Sequence, residues 1–311
     1  MRYLRLLFIL LVFCPLSQAY INIDTVALRK AVVFIYGAKA NGDADERHPL
    51  GTGFLIATRP QGSSVANSVL LITARHIVDP NWAYCSESKR DLVYVRVNKA
   101  NYDPKNDETG VEYLPIHLIE NGKKKYLIRD DDDEVDAAVV PFDAKAYSQK
   151  KYDYMPLMLS VLASTDEMKN IEIGDTVVSA GLIPEKSGEN RNYPFFKFGN
   201  VSNIPEEPTW ASCDRKPALR LERVWFIASN LVGGNSGSPI FFVPTSTGRR
   251  GGGNFFSGED ARRACLIGIQ SLSFDGADIA GMTPIEDAFK IIEQKIPGID
   301  LYRGADSNRG K

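Results

Sequence analysis

Residues 233–243 read GGNSGSPIFFV, a serine enclosed by glycines that runs directly into an apolar segment. Glycines on either side of Ser236 allow a tight turn and let another molecule approach the backbone closely. The segment that follows, residues 239–243, is short and apolar, as expected of a buried strand bounded by a turn. This stretch therefore predicts a turn that presents one hydroxyl group at the start of a strand.

The rest of the chain repeats this pattern of short apolar strands separated by turns. Regular alternation of strands and helices, which would predict a doubly wound sheet or a barrel of alternating strands and helices, is absent from the sequence. The candidate strands are residues 31–36, 53–57, 69–73, 92–97, 137–141, 176–180, 224–228, 239–243 and 266–271. We expect an all-β fold.

One amphipathic helix is predicted close to the end of the chain. Thr283, Pro284 and Glu286 form a capping box with proline at the first helical position. Pro297 follows the helix and ends it. The apolar stripe of this helix consists of Ile285, Ala288, Phe289 and Ile292. We expect the stripe to pack on the body of the protein.

Size and charge exclude several classes of protein. The chain has 311 residues, of which 44% are hydrophobic and 24% charged, so it can bury a sizeable core. With 37 basic and 39 acidic side chains it lacks the basic excess of a nucleic-acid binder. Neither the acidic run 130–134 nor the glycines 251–253 have the spacing of a calcium or phosphate loop. We expect no metal, no organic cofactor and no nucleic-acid partner.

The first residues have the composition of an export signal. Residues 1–19 begin with two arginines, continue with an apolar run, and end in the small-residue pattern that a signal peptidase reads. Because a membrane span needs about 20 apolar residues, this run is too short to be an anchor. We expect cleavage at about Ala19 and a secreted or periplasmic protein without stable membrane association.

Cysteine usage predicts little cross-linking. Cys85, Cys213 and Cys265 remain after cleavage, and an odd number allows at most one internal disulfide. Both Cys213 and Cys265 lie in the second half of the chain, so theirs is the pairing we expect.

Three segments carry chemistry, in the order His76, Asp136, Ser236. Acyl transfer by a serine needs a base for the hydroxyl proton and an acid that holds the base in the right tautomer. It also needs backbone N–H groups aimed at the developing oxyanion. Of the three histidines, only His76 ends an apolar strand. Of the acids near position 136, only Asp136 immediately precedes an apolar strand, unlike those at 132–134.

These segments resemble the trypsin-like (chymotrypsin-fold) serine peptidases. Residues 73–76, 136–140 and 234–239 match that family's T-A-x-H, D-x-A-h-h (h, apolar) and G-[DN]-S-G-x-P signatures. Residues 51–56 look like the strand before the histidine, and 266–271 like the strand that lines the primary specificity pocket. The resemblance covers roughly residues 31–294. It implies two antiparallel six-stranded barrels, with the active site between them, followed by a C-terminal α-helix.

The resemblance also implies a role for each residue. His76 is the general base and then the general acid, Asp136 orients it, and Ser236 is the nucleophile. The backbone N–H groups of Gly234 and Ser236 form the oxyanion hole. Ser271 matches a position from which the family supports the buried aspartate.

The specificity pocket is the less informative part of the resemblance. Its base aligns with Asn230, and its walls align with Ser271, Leu272, Ser273 and the region 277–278. No carboxylate stands at the floor, so a preference for Arg or Lys is not expected. A small or medium apolar residue, or a polar one, is expected before the scissile bond.

Two departures from the family narrow the branch. Asn235 stands where digestive and blood-clotting relatives carry an aspartate that pairs with a newly freed N-terminus, and no I-V-G-G activation sequence is evident. Asparagine there looks like the HtrA/Deg-type and glutamyl-endopeptidase-like bacterial branches. Only about fifteen residues follow the helix, so we expect no PDZ domain.

The resulting hypothesis is an exported serine endopeptidase that acts on proteins or peptides through an acyl-enzyme. We expect a signal peptide at 1–19, an N-terminal barrel with His76 and Asp136 at 20–165, a C-terminal barrel and helix with Ser236 at 166–298, and a polar tail at 299–311. The alternative is a catalytically silent pseudo-peptidase that binds proteins through the same cleft. The oligomeric state stays open.

Overall fold

A computed structural model of the chain describes residues 24–60, 68–82, 90–143, 146–212, 219–229, 234–244, 262–274 and 278–300. Within these ranges the fold is mostly β, with one closed six-stranded barrel, one curled half-barrel and a C-terminal helix. The predicted fold class, all-β and chymotrypsin-like, is confirmed. The predicted signal peptide, Cys85, Cys213, Asn230 and most of the polar tail lie outside the described residues.

The first half of the chain forms a curled antiparallel sheet. Its elements are α1 (Thr25–Ala31), β1 (Val32–Ala38), β2 (Ala44–Pro60), β3 (Ser68–Thr73), α2 (Arg75–Val78), β4 (Leu92–Asn98), β5 (Val111–His117), the short pair β6 (Ile119–Glu120) and β7 (Lys123–Lys124), and β8 (Ala138–Phe142). The strand order is β5-β4-β1-β2-β3-β8. In a closed barrel the two edge strands, β8 and β5, would pair with each other. Here the free edge of β8 instead forms one isolated bridge, between Val139 and Leu127. This sheet is therefore a half-barrel and not the closed barrel that the resemblance implied.

The second half forms the closed barrel. Its elements are α3 (Thr165–Lys169), β9 (Thr176–Gly181), β10 (Phe195–Asn203), the hairpin β11 (Thr209–Ser212) and β12 (Leu219–Glu222), β13 (Trp225–Ala228), β14 (Pro239–Phe242), β15 (Cys265–Phe274), β16 (Ile279–Pro284), α4 (Ile285–Lys295) and β17 (Ile299–Asp300), with 3-10 turns at Leu159–Val161 and Pro184–Lys186. The barrel order is β10-β13-β16-β15-β14-β9. Strand β17, at the start of the predicted polar tail, pairs with β2.

Burial on both faces explains why these strands read as continuous apolar runs. Side chains alternate across a strand, so Phe34 and Val33 of β1 point to opposite faces. Phe34 joins a core shared with Leu266 of the barrel and Phe289 of α4. Val33 joins a second core on the other face of the first sheet, with Leu55. Each fully buried side chain of this kind contributes about 1.5–3 kcal/mol to the free energy of unfolding.

The C-terminal helix has the predicted stripe but a different start. Its four predicted apolar residues are all buried. Pro284, with φ −57° and ψ 138°, is the N-cap, and no side chain caps the helix. Because Pro284 still pairs with Gly268 of β15, Thr283 stays in a strand and is not the cap we predicted. Its hydroxyl group donates to the backbone oxygen of Asp136 at 3.4 Å instead. No helix in the described part of the chain is both long and apolar enough to cross a membrane.

The expected disulfide between Cys213 and Cys265 is wrong, because Cys265 is a free, buried thiol on β15. Its side chain is 1% exposed. Burial, together with the nearby charge of Glu167, raises the pKa of this thiol to about 12 against the opposing charges of Arg263 and Arg262.

We expect Cys265 to resist iodoacetamide in the native protein at pH 8 and to react once the chain is unfolded. Only the thiolate is reactive, and a pKa of about 12 leaves about one molecule in ten thousand ionised at that pH. Mass mapping of the alkylated peptides reports Cys265 separately from the other cysteines. Native-state labelling at the rate of an exposed thiol would contradict this expectation.

Candidate active site

His76 and Asp136 meet because they lie at the ends of two neighbouring strands. Thr73, the last residue of β3, pairs with Ala138, the first residue of β8. The chain turns into α2 directly after β3, and one residue, Ala137, separates Asp136 from the start of β8. His76 Nδ1 lies 2.7 Å from Asp136 Oδ2, and the backbone N–H of His76 donates to Oδ1 at 3.0 Å. The imidazole is thus held at two points of one carboxylate.

The carboxylate of Asp136 is kept charged in a fully buried position. Burial alone raises the pKa of Asp136, but the charge of His76 and its hydrogen bond outweigh burial, with further help from the charge of Arg220 and the His76 backbone N–H. The pKa therefore lies below its ordinary value. A buried charge needs such partners, since an unpaired one is very costly. The side chain of His76 itself is 18% exposed and can meet a ligand from solvent.

Ser236 sits in a tight turn against β2. Gly234 and Gly237 on its two sides both have φ of +87°, a conformation that glycine adopts without strain. The backbone N–H of Thr52 donates to the backbone oxygen of Ser236 at 2.8 Å. A Cβ placed on Gly51 would lie 2.8 Å from that oxygen and 2.5 Å from the side chain of Ile77. The turn therefore lies close to α2, the helix that carries His76.

The same turn presents two backbone donors. Gly234 is oriented through its oxygen, which accepts from Thr52 Oγ1 at 2.9 Å. The backbone N–H of Gly237 donates to the backbone oxygen of Gln270 at 2.7 Å. Within the described ranges, we find no acceptor for the N–H groups of Gly234 and Ser236. They are the two groups that the resemblance assigns to an oxyanion hole.

Gly237 cannot carry a side chain at this place. We expect Gly237→Ala to lower the free energy of unfolding by roughly 3–5 kcal/mol, because strain and a backbone clash combine. The added Cβ would lie 1.9 Å from the backbone oxygen of Thr52 and 2.4 Å from Thr73 Oγ1. Urea unfolding measures the loss.

Gly42→Ala is the matched control. Gly42 has a similar φ of +90°, but nothing lies within 4 Å of the Cβ position. Only the conformational cost of about 1 kcal/mol is expected there. Equal losses in the two variants would contradict the close packing of the Ser236 turn.

An aromatic and two arginines surround the His76–Asp136 pair, and sequence reasoning missed them. The guanidinium groups of Arg75 and Arg220 lie 4.6 and 4.4 Å from the ring centre of Trp82. Arg220 extends from β12 and forms a buried ion pair with Glu222. The spacing of Arg220 and Glu222 in a strand could indicate a shared face, but nothing local indicates that this face meets Trp82.

The pocket residues are only partly in place. Ser271 is 2% exposed, and its hydroxyl group has no hydrogen-bond partner in the described residues. The support for Asp136 that the resemblance implied is therefore not found at Ser271. Leu272 packs on Gly281 of β16, where an added Cβ would lie 2.9 Å from it. Ser273 is exposed, and Asn230 lies outside the described residues.

The remaining clusters of polar side chains point to no metal centre. Over the ranges that the structure describes, no three histidine, cysteine, aspartate or glutamate side chains are grouped so as to hold a metal ion. His48 is exposed and contacts Asp45, with Nδ1 2.9 Å from Oδ2. That contact repeats the His–Asp pairing of the candidate site on the open surface.

No protein-family model matches the chain, and no curated protein matches it in sequence. Solved structures are similar in fold. The protease domain of MamO from Magnetospirillum magneticum is 14% identical with a TM-score of 0.45, over 85% of this chain and 96% of that one. The Rv3671c protease from M. tuberculosis, in its active form, is 15% identical with a TM-score of 0.45, over 88% and 83%. The thermostable serine protease AL20 from an extremophilic microorganism is 14% identical with a TM-score of 0.45, over 85% and 95%.

Proposed function

We propose that this chain is a serine endopeptidase that hydrolyses peptide bonds through an acyl-enzyme. The observation that carries the proposal is the pair of His76 and Asp136, joined at 2.7 Å with the carboxylate fully buried, beside the glycine turn of Ser236. A buried acid, an imidazole open to solvent and a nearby hydroxyl group, in a turn whose Gly234 and Ser236 N–H groups have no acceptor among the described residues, are the parts that acyl transfer needs.

In the proposed mechanism, Ser236 Oγ attacks the carbonyl carbon of the scissile bond while His76 Nε2 takes the hydroxyl proton. Asp136 accepts the hydrogen bond from Nδ1–H and stabilises the imidazolium. The negative charge that develops on the carbonyl oxygen is met by the N–H groups of Gly234 and Ser236. The C–N bond then breaks, and His76 returns the proton to the leaving amine. Water attacks the resulting ester by the same route, which releases the acid and restores Ser236.

The proposed substrate is a protein or peptide chain. Leu272 on Gly281 and the exposed Ser273 favour a small or medium apolar residue, or a polar one, before the scissile bond. We also propose export with cleavage at about Ala19, on the composition of residues 1–19 alone. No cofactor and no nucleic acid enter the proposal.

Incubation of the purified protein with a diverse peptide library, followed by mass spectrometry of the products, tests the proposal. We expect internal cleavage at a restricted set of bonds, and the residues before those bonds report the pocket preference. Folded protein that binds the peptides without cleaving any of them would instead support a protein-binding pseudo-peptidase.

A further inference from the structure

Arg96 is a buried arginine on β4 that donates hydrogen bonds to a loop in the second half of the chain. Arg96 is 2% exposed, and its guanidinium group donates to the backbone oxygens of Ser187, Gly188 and Glu189 at 3.2, 2.7 and 2.7 Å. Within the described residues it forms no ion pair with a carboxylate. The carbonyl dipoles of residues 187–189 therefore compensate the desolvation of its charge, and they do so only when this loop is docked on β4.

Asn192 forms a second set of hydrogen bonds between the same loop and β4. Its side-chain amide donates to the Arg96 backbone oxygen at 2.6 Å, and its backbone N–H donates to Asn98 Oδ1 at 2.7 Å. The loop also packs closely on Gly110, where an added Cβ would lie 2.3 Å from the Asn190 oxygen. Residues 187–192 are thus fixed to the first sheet by side chains of β4 and by close packing.

The other end of this loop touches the proposed oxyanion hole. A Cβ on Gly234 would lie 2.6 and 2.8 Å from Cγ and Cδ of Pro184, so the proline ring covers Gly234 on one side. The N–H of Leu182 donates to Thr52 Oγ1 at 3.1 Å, and that hydroxyl group donates to the Gly234 oxygen. The loop 182–192 therefore connects Arg96 to Gly234.

Contacts from outside the turn are needed to fix the conformation of Gly234. It follows another glycine in the sequence, and two successive glycines give the peptide between them a wide range of conformations at little cost. An oxyanion hole works only if its N–H groups already point to the place where the charge develops. A contact that limits the rotation of Gly234 thus acts on the transition state more than on substrate binding.

We propose that Arg96 is a positioning residue for the acyl transfer: it anchors the loop 182–192, whose Pro184 holds the Gly234 N–H in the orientation that the oxyanion requires. This inference rests on the proposed function. Arg96 acts through Pro184 and Gly234 and does not itself touch the reacting atoms.

The test uses the full chain with Arg96→Lys and Arg96→Met, because lysine keeps the charge and methionine keeps the apolar stem. Neither can donate to the three carbonyls in the geometry of a guanidinium group. We expect kcat to fall about 10- to 100-fold, and the rate of fluorophosphonate labelling to fall in parallel, with KM changed less than about threefold. Arg29→Met, which removes an exposed arginine of α1, should leave both constants unchanged.

A rescue experiment separates positioning from general loss of structure. Arg96→Ala should regain part of its kcat when guanidinium ion is added at a concentration well below denaturing levels, but not with sodium ion at equal ionic strength. If the Arg96 variants fail to fold, Asn192→Ala should show the same fall in kcat at constant KM. An unchanged kcat in a folded variant, or a loss that guanidinium cannot restore, would overturn the role of Arg96. Absence of activity in the unaltered protein would instead refute the proposed function.

Discussion

Ser236→Ala should lower kcat/KM for a peptide substrate by about four to six orders of magnitude, because the nucleophile and its covalent intermediate are both lost. The free energy of unfolding should change by less than about 1 kcal/mol, since the half-buried hydroxyl group is not part of the turn's backbone contacts. Steady-state kinetics on a peptide found in the library, with urea unfolding of the same samples, give both quantities.

Two controls make this result specific. Ser202→Ala removes an exposed serine of β10 and should leave kcat/KM unchanged. His76→Ala should lose activity as severely as Ser236→Ala, while His48→Ala should not, because His48 lies on the open surface with Asp45. Near-normal activity of purified Ser236→Ala, or equal losses for the two histidines, would contradict the proposed mechanism.

Asp136→Asn is expected to lower kcat by about four orders of magnitude. The carboxylate now accepts from Nδ1, which leaves Nε2 as the lone-pair nitrogen that can take the serine proton. An asparagine amide would donate to Nδ1 instead and place the proton on Nε2, the wrong tautomer for a base. Kinetics across neutral pH measure the loss, and Asp45→Asn, which alters the exposed His48 pair, should have no effect on activity.

The stability of Asp136→Asn should depend on pH with a defined sign. The pKa of Asp136 is lowered in the folded state, so its charged form contributes stability above its ordinary value of 3.8. That contribution is lost as the pH falls through the lowered folded-state pKa. The unfolding free energies of the unaltered protein and Asp136→Asn should therefore differ at pH 7 and approach each other at strongly acid pH. A difference that grows on acidification would contradict this assignment.

Most strands that are buried on both faces were predictable from the sequence, whereas the buried strand β16 and the exposed or interrupted strands were not. Every predicted strand is present, because runs such as Val32–Tyr36 are buried without a break. Strand β5 was missed, since Glu112, Pro115 and His117 interrupt its apolar residues. Strand β10 was missed because it exposes Phe195 and Phe198, and buries few side chains.

The candidate site was predictable where a local pattern decides the geometry. His76, Asp136 and the Ser236 turn each adjoin a strand end, so a short motif indicates where the side chain lies. Arg96 carries no comparable signal, because its acceptors lie more than ninety residues away along the chain. Thr283 reads as a helix cap, yet the β16 ladder extends one residue further and takes it to Asp136. Long-range pairing overrode the local preference there.

Covalent labelling with a fluorophosphonate probe tests the central claim most directly. The probe loses fluoride to a nucleophilic serine that has a working base, and the bound phosphonyl group is located by mass spectrometry. We expect one modified residue, Ser236, with labelling abolished by heat denaturation and by His76→Ala. Folded protein that stays unlabelled, or that is labelled at a different serine, would show that the imidazole, the carboxylate and this hydroxyl group do not act together.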